Sequence, residues 1–266
     1  MRFLAIGDNC VDDYVEIGRR FPGGNALNVA VYANRIAGVH ASYVGVIGSD
    51  EAGDFLLEQA RREGIDTSTI FRLPGATAVT TIRLQSGERV FADYKEGVQK
   101  AAEFPVGLIS KLNAYDVIHY TVNGFGRERI PTLKKAHGPV ISCDFSNRLD
   151  DPATDVLPWL DYCFFSDRHL EHVGIDVEDK IRELKEKTPG AVVVTLGERG
   201  SLALDRQGLH QASSVKVKVV DTLGAGDAYI AAFLCASYLG AGIDGSMAAG
   251  HRAAAKVCAR LGAWGG

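Results

Sequence analysis

Apolar and polar positions follow two different rhythms along this chain, and the change between them divides it. Residues 3–6 and 41–47 are short apolar runs that predict buried strands, and a helical period follows each, over 26–37 with Gly38 ending it and over 51–63 with Gly64 closing it. Between the first run and the first helix, residues 14–17 alternate, which predicts a short half-exposed strand. The rhythm then changes. Residues 77–84 and 88–94 are β-prone and flank Gln85-Ser86-Gly87, predicting a hairpin with no helix between its strands. Strand–helix alternation resumes with strands at 116–120, 140–144, 161–165 and 191–196 and helices at 128–136 and 177–187. A strand at 201–205 and two small-residue-rich helices, 228–239 and 246–261, close the chain.

This order predicts an α/β fold with a large, mainly parallel sheet flanked by helices. The hairpin stands outside that alternation. Together with residues near 12–19, residues 77–97 predict a small β-sheet lid over the strand ends, all within a single domain spanning 1–266.

Composition narrows the function. A length of 266 residues with 46% hydrophobic and 23% charged residues supports a large folded core. The net charge of −4 and the lack of a Lys/Arg run give no reason to expect a nucleic-acid or membrane partner. A polyanionic ligand would have to be held by local backbone geometry. The apolar run at the N-terminus is too short for a signal-peptide core, so the protein is expected in the cytoplasm. Cys10, Cys143, Cys163, Cys235 and Cys258 are scattered singly, as reduced buried thiols would be. His169 and His172 lack metal-site spacing and read as a surface pair.

Two glycine-led helix starts carry the candidate chemistry. In Asp221-Thr222-Leu223-Gly224-Ala225-Gly226-Asp227 the glycines allow a tight turn, and the helix that follows turns its N–H groups and positive dipole end toward an anion. Asp227 reads either as an acid favoured in a first helical turn or as a base beside a phosphate cradle. In Phe21-Pro22-Gly23-Gly24-Asn25-Ala26-Leu27-Asn28, Asn25 and Asn28 share one face of the first turn and can meet hydroxyls. Asn25 also suits a cap, and Asn28, in an apolar turn, needs a partner. Asp12 lies in a polar loop at the end of the first strand, where parallel sheets bind ligands, and reads as a turn former or a sugar-hydroxyl contact. Thr195-Leu196-Gly197-Glu198-Arg199-Gly200-Ser201 is either a plain hairpin turn or the border of a nucleotide. A dinucleotide-dependent oxidoreductase is disfavoured, because Gly7-Asp8-Asn9-Cys10-Val11-Asp12 has no G-x-G-x-x-G and its acids would repel a pyrophosphate. A non-catalytic sugar sensor would not need Asp227.

The twin-glycine asparagine helix start, the β lid and D-T-x-G-A-G-D before an apolar helix, in this order over nearly the whole chain, resemble the ribokinase-like PfkB family of carbohydrate kinases. Gly7 to Asp12, residues 23–34, residues 89–98 and Gly262-Ala263-Trp264 resemble the members that act on fructosamines. The resemblance implies ATP- and Mg2+-dependent phosphorylation of a ketose-type 6-hydroxyl, that of a fructosamine such as fructoselysine, or of a plain sugar or nucleoside. It implies Asp227 as general base, with Gly224, Ala225 and Gly226 holding the transferring phosphoryl group. Asp12, Gly24, Asn25 and Asn28 would bind the sugar, and Thr195, Gly197, Gly200 and Thr222 would border ATP. Asp221 would lie near a metal or a monovalent cation such as K+. The family's N-x-x-E magnesium pattern is absent; Ser166-Asp167-Arg168-His169-Leu170-Glu171 stands there, with Glu171 in the glutamate's place. Relatives of this kind also pair through the lid, so a homodimer is expected.

Overall fold

A computed structural model describes residues 1–85, 88–133, 138–148, 152–167 and 176–264. Ser86 and Gly87 of the expected hairpin turn, the end of the helix expected at 128–136, His169, His172 and Glu171 lie outside the described residues.

The large sheet grows outward from β1 (Arg2–Ile6), which pairs in parallel with β4 (His40–Gly48) on one side and β8 (Val117–Thr121) on the other. Beyond β8 lie β9 (Val140–Asp144), β10 (Tyr162–Ser166) and β11 (Ala191–Thr195), all parallel, and beyond β4 lies β5 (Ile70–Leu73). Two antiparallel strands, β12 (Ser201–Leu204) and β13 (Leu209–Ala212), close the far edge. Strands such as β8 and β9 are buried along nearly their whole length, as a sheet with helices on both faces requires. The edge strands β5 and β13 escape the sequence pattern for the converse reason. Their half-exposed residues show no strong period, and only their neighbours give them strand geometry.

Helices α1 (Asn25–Asn34) and α2 (Glu51–Arg62) cover one face of the sheet, and the short α3 (Ile109–Leu112) and α4 (Ile130–Leu133) lie on the other. The amphipathic α5 (Val177–Glu186) joins α3 and α4 there through Ile181 and Leu184. The last helices, α6 (Ala225–Tyr238) and α7 (Gly242–Cys258), return to the face of α1. Gly250 lets α6 and α7 approach, since a Cβ there would lie 2.6 Å from the Tyr229 ring.

A second, four-stranded sheet has the order β3-β2-β6-β7, with β2 (Cys10–Tyr14), β3 (Arg19–Gly23), β6 (Val79–Gln85) and β7 (Glu88–Lys95). The hairpin of β6 and β7 falls where the pattern predicts it. The strand expected at 14–17 does not: Val15–Ile17 is a 3-10 turn, and the strands lie on either side of it. Asp12, expected in a loop, sits within β2 opposite Phe21 and Thr80. Two adjacent aspartates hid that strand, whose extension comes from partners on both sides. Pro22 is tolerated in β3 because β3 is an edge strand. Tyr14, Phe21 and Ile82 bury the inner face of this sheet against Leu223 and Leu261, next to the turn that opens α6.

Candidate active site

The C-terminal ends of β1, β8 and β9 meet the N-termini of α1 and α6, and both helices begin with glycine. At α1, Gly24 is the cap residue at φ 97°, and a Cβ there would fall 2.2 Å from the Asn9 Cα. Gly23 gives the same latitude to Asp12, whose Oδ2 occupies the place of a Cβ at 2.0 Å. Gly24 has no side chain to cap with, and Asp8 does it instead. The Asp8 carboxylate accepts from the N–H groups of Asn25 (2.9 Å) and Ala26 (3.3 Å) and from Thr121 Oγ1 (2.6 Å). Asn25, relieved of capping, points its amide at Asp144 Oδ2, 3.2 Å away.

Asn28, one turn later, donates through Nδ2 to Asp227 Oδ2 at 2.7 Å, and its Oδ1 accepts from the Trp264 indole N–H at 2.6 Å. Asp227 stands in the first turn of α6 and is 7% exposed. Gly224, the cap residue, turns with φ 76°, and Tyr32 Oη and Ala263 fill the space where its Cβ would be. Gly226 differs: a Cβ there would meet nothing within 4 Å. The N–H groups of Gly226 and Asp227 belong to the turn for which an α-helix supplies no internal acceptor. A buried carboxylate thus adjoins an open helix N-terminus, an arrangement that can hold a phosphate and take a proton beside it.

The electrostatics follow from crowding. Burial is the main cause that pushes the Asp227 carboxyl well above the usual range; the Asn28 bond opposes it, and the charges of Asp144, Asp8 and Asp12 reinforce it. Asp144 is pushed up to about 6, again mainly by burial, against the N–H of Ser146 and the Asn25 amide. Asp12, 3% exposed, accepts from the Cys10 thiol at 3.4 Å.

Other expected site residues lie around this centre. The Asp221 carboxylate accepts from Tyr14 Oη (2.5 Å) and from the N–H groups of Gly262 (3.0 Å) and Leu223 (3.0 Å), tying the small sheet to the turn before α6. Thr222 is exposed beside it. Thr195 ends β11 and bonds Phe165 O; Gly197 and Gly200, at φ 59° and 101°, flank the turn that leads into β12. Arg199 in this turn pairs with Asp167. Among the described residues no three His, Cys, Asp or Glu side chains converge as a metal site. Asp8 and Asp144 lie outside the two glycine-led motifs that mark the site in the sequence. Both are carboxylates at the C-terminal ends of predicted strands, which was the available signal.

The architecture is the ribokinase-like one. The chain superposes with TM-score 0.86 on the Arabidopsis thaliana ribokinase complexed with ribose and ATP, at 20% identity and covering 98% of this chain and 93% of that one. Residues 7–265 match the pfkB family carbohydrate kinase model. The chain belongs to this family and is an ATP-dependent carbohydrate kinase. It is 37% identical over 266 residues to the Escherichia coli (strain K12) fructoselysine 6-kinase, covering 99% of this chain and all of that protein. It is also 34% identical over 275 residues to the fructosamine kinase FrlD of Bacillus subtilis (strain 168), covering 100% and 93%. The family implies ATP and, as a rule, Mg2+. No helix among the described residues is long and apolar enough to cross a membrane.

Proposed function

We propose that the protein transfers the γ-phosphate of ATP to the 6-hydroxyl of a fructosamine, fructoselysine first among them, with Asp227 as the general base. The observation that carries this reading is the buried Asp227 carboxylate beside the open first turn of α6. It stands where it can accept the hydroxyl proton as the oxygen attacks phosphorus, and the Asn28 N–H favours the charged form that does so. Charge that develops on the transferring phosphoryl oxygens meets the N–H groups at Gly226 and Asp227, in a turn that Gly224 and Ala225 shape. Magnesium, bound with the nucleotide, would neutralise phosphate charge.

Asp12, Asn25 and Asn28 form the sugar side of the proposed site, and Gly24, packed on Asn9, shapes the backbone that presents Asn25 and Asn28. The acid-rich lining of Asp8, Asp12 and Asp144 favours a substrate that brings positive charge, as the amine of a fructosamine does. The similarity to fructoselysine and fructosamine kinases supports the same substrate class. Thr195, Gly197, Gly200 and Thr222 border the nucleotide in this reading, and Asp221 is the residue nearest a monovalent cation; Glu171, the other candidate cation residue, lies outside the described residues. A K+ requirement at Asp221 would show as faster turnover in K+ than in Li+. The small sheet acts as a lid that excludes water. Val15, Ile17, Phe91 and Tyr94, exposed on that sheet and its turn, support pairing of two copies, which sedimentation would detect.

A coupled ADP-release screen against fructoselysine, other fructosamines, fructose, ribose and a nucleoside tests the substrate. Turnover of fructosamines well above the rest is the expected result. Turnover of plain sugars or the nucleoside alone would overturn the fructosamine reading and leave the kinase intact.

A further inference from the structure

We infer that Trp264 is a positioning residue for the reaction: its indole N–H locks the Asn28 amide so that Asn28 presents an N–H, and not its oxygen, to Asp227. This rests on the reading of Asp227 as the base. An indole nitrogen can only donate, so the amide atom it meets at 2.6 Å is Oδ1. The other end of the amide, 2.7 Å from Asp227 Oδ2, is therefore Nδ2. The two ends of an amide have nearly the same shape, and sterics alone would not choose between them. All three side chains are buried, with Trp264 1% and Asn28 3% exposed, so water has little access to correct a wrong choice.

The indole is itself held in place. Ala263 O accepts from Tyr32 Oη on α1 (2.5 Å) and from Arg260 (3.3 Å), and the Gly262 N–H donates to Asp221 Oδ2 (3.0 Å). Gly262 is at φ 74°, with the Phe21 ring where a Cβ would go. The segment after α7 is thus pinned to α1, to the small sheet and to the turn before α6, and it delivers one N–H to one amide.

The orientation matters because of what else faces Asp227. Asp144 at the end of β9, Asp8 after β1 and Asp12 on β2 all act to keep it protonated, and Tyr32 on α1 lies near enough to feel its charge. Asn28 is the group that works the other way, by donating to the charged carboxylate. A flipped amide would offer a lone pair, favour the protonated acid and remove the base.

The test is the pH profile of kcat with a fructosamine and ATP for three proteins. Trp264→Phe removes the N–H. Replacement of Trp264 by β-(3-benzothienyl)alanine keeps the bicyclic shape with sulfur in place of N–H, and so remains informative if the smaller ring unsettles the fold. Tyr32→Phe loosens the same segment without touching the amide. In the two Trp264 variants the acid limb should move to higher pH by about one unit, with much of the rate recovered in alkali. Tyr32→Phe, which loosens the segment that carries Trp264, should lower the thermal midpoint and move the limb in the same direction by a smaller amount. A uniform loss of rate across pH in the benzothienyl protein would show that Trp264 serves packing alone and would overturn the inference. Asp227→Asn separates the two readings: if it stays active, the base assignment fails, whereas if it is inactive and the limb does not move, only the role of Trp264 fails.

Discussion

Helices α1 and α6 both open on glycines and stand side by side, yet they treat their first-turn N–H groups in opposite ways. At α1 the protein satisfies them itself through Asp8, and Gly24 is jammed against Asn9. At α6 the glycine of the first turn faces open space. A glycine-rich helix start is thus two different devices. In one it permits close packing of protein against protein, and in the other it leaves open space beside N–H groups that the helix does not satisfy.

Substitutions should separate the two devices. Gly24→Ala faces both a backbone conformation that suits only glycine and a clash with the Asn9 backbone, so it should cost about 3 kcal/mol or more, read as a large fall in the denaturation midpoint. Asp227→Asn should lower kcat by about a hundredfold or more with sugar KM nearly unchanged, and steady-state kinetics with a stability check would read it. Gly226→Ala should leave the thermal midpoint almost untouched and raise the KM for ATP or lower kcat by about tenfold, because its methyl would occupy the ligand's space. Equal stability losses for Gly24→Ala and Gly226→Ala would erase the contrast between the helices.

The smallest effect concerns Asp144, the carboxylate that answers Asn25 of α1. Its folded value near 6 lies above the ordinary 3.8, so the folded state binds more protons than the unfolded chain between these values. Stability from this group therefore falls as pH rises through that window and is fully present below it. Asp144→Asn should raise the melting temperature at pH 7.5 by about 3 °C, and the gap should close as pH falls toward 4. A gap that widened in acid would reverse the assigned sign.

Much of the fold was legible because burial on both faces leaves a strong mark. The runs at 41–47, 140–144 and 191–196 became β4, β9 and β11. The hairpin of β6 and β7 was legible because two β-prone runs had no helix between them. β2 was not, since its aspartates mask the period and its extension depends on β3 and β6. In the site, the apolar turn around Asn28 implies that its amide needs a partner, and the sequence pointed to a ligand; in the structure both ends of the amide meet protein side chains. That the partners are Asp227 and Trp264, 199 and 236 residues away, is a fact of packing that no local pattern encodes.

Sequence by itself determined the strand–helix order, the separate small sheet and the residue types at the two helix starts, because periodicity and glycine spacing are local properties. Only the tertiary structure decided which start is closed and which is open. That outcome depends on whether a carboxylate from a distant strand end arrives to occupy the N–H groups. Asp8 arrives at α1, and Asn28 with Trp264 instead turns Asp227 beside the open turn of α6.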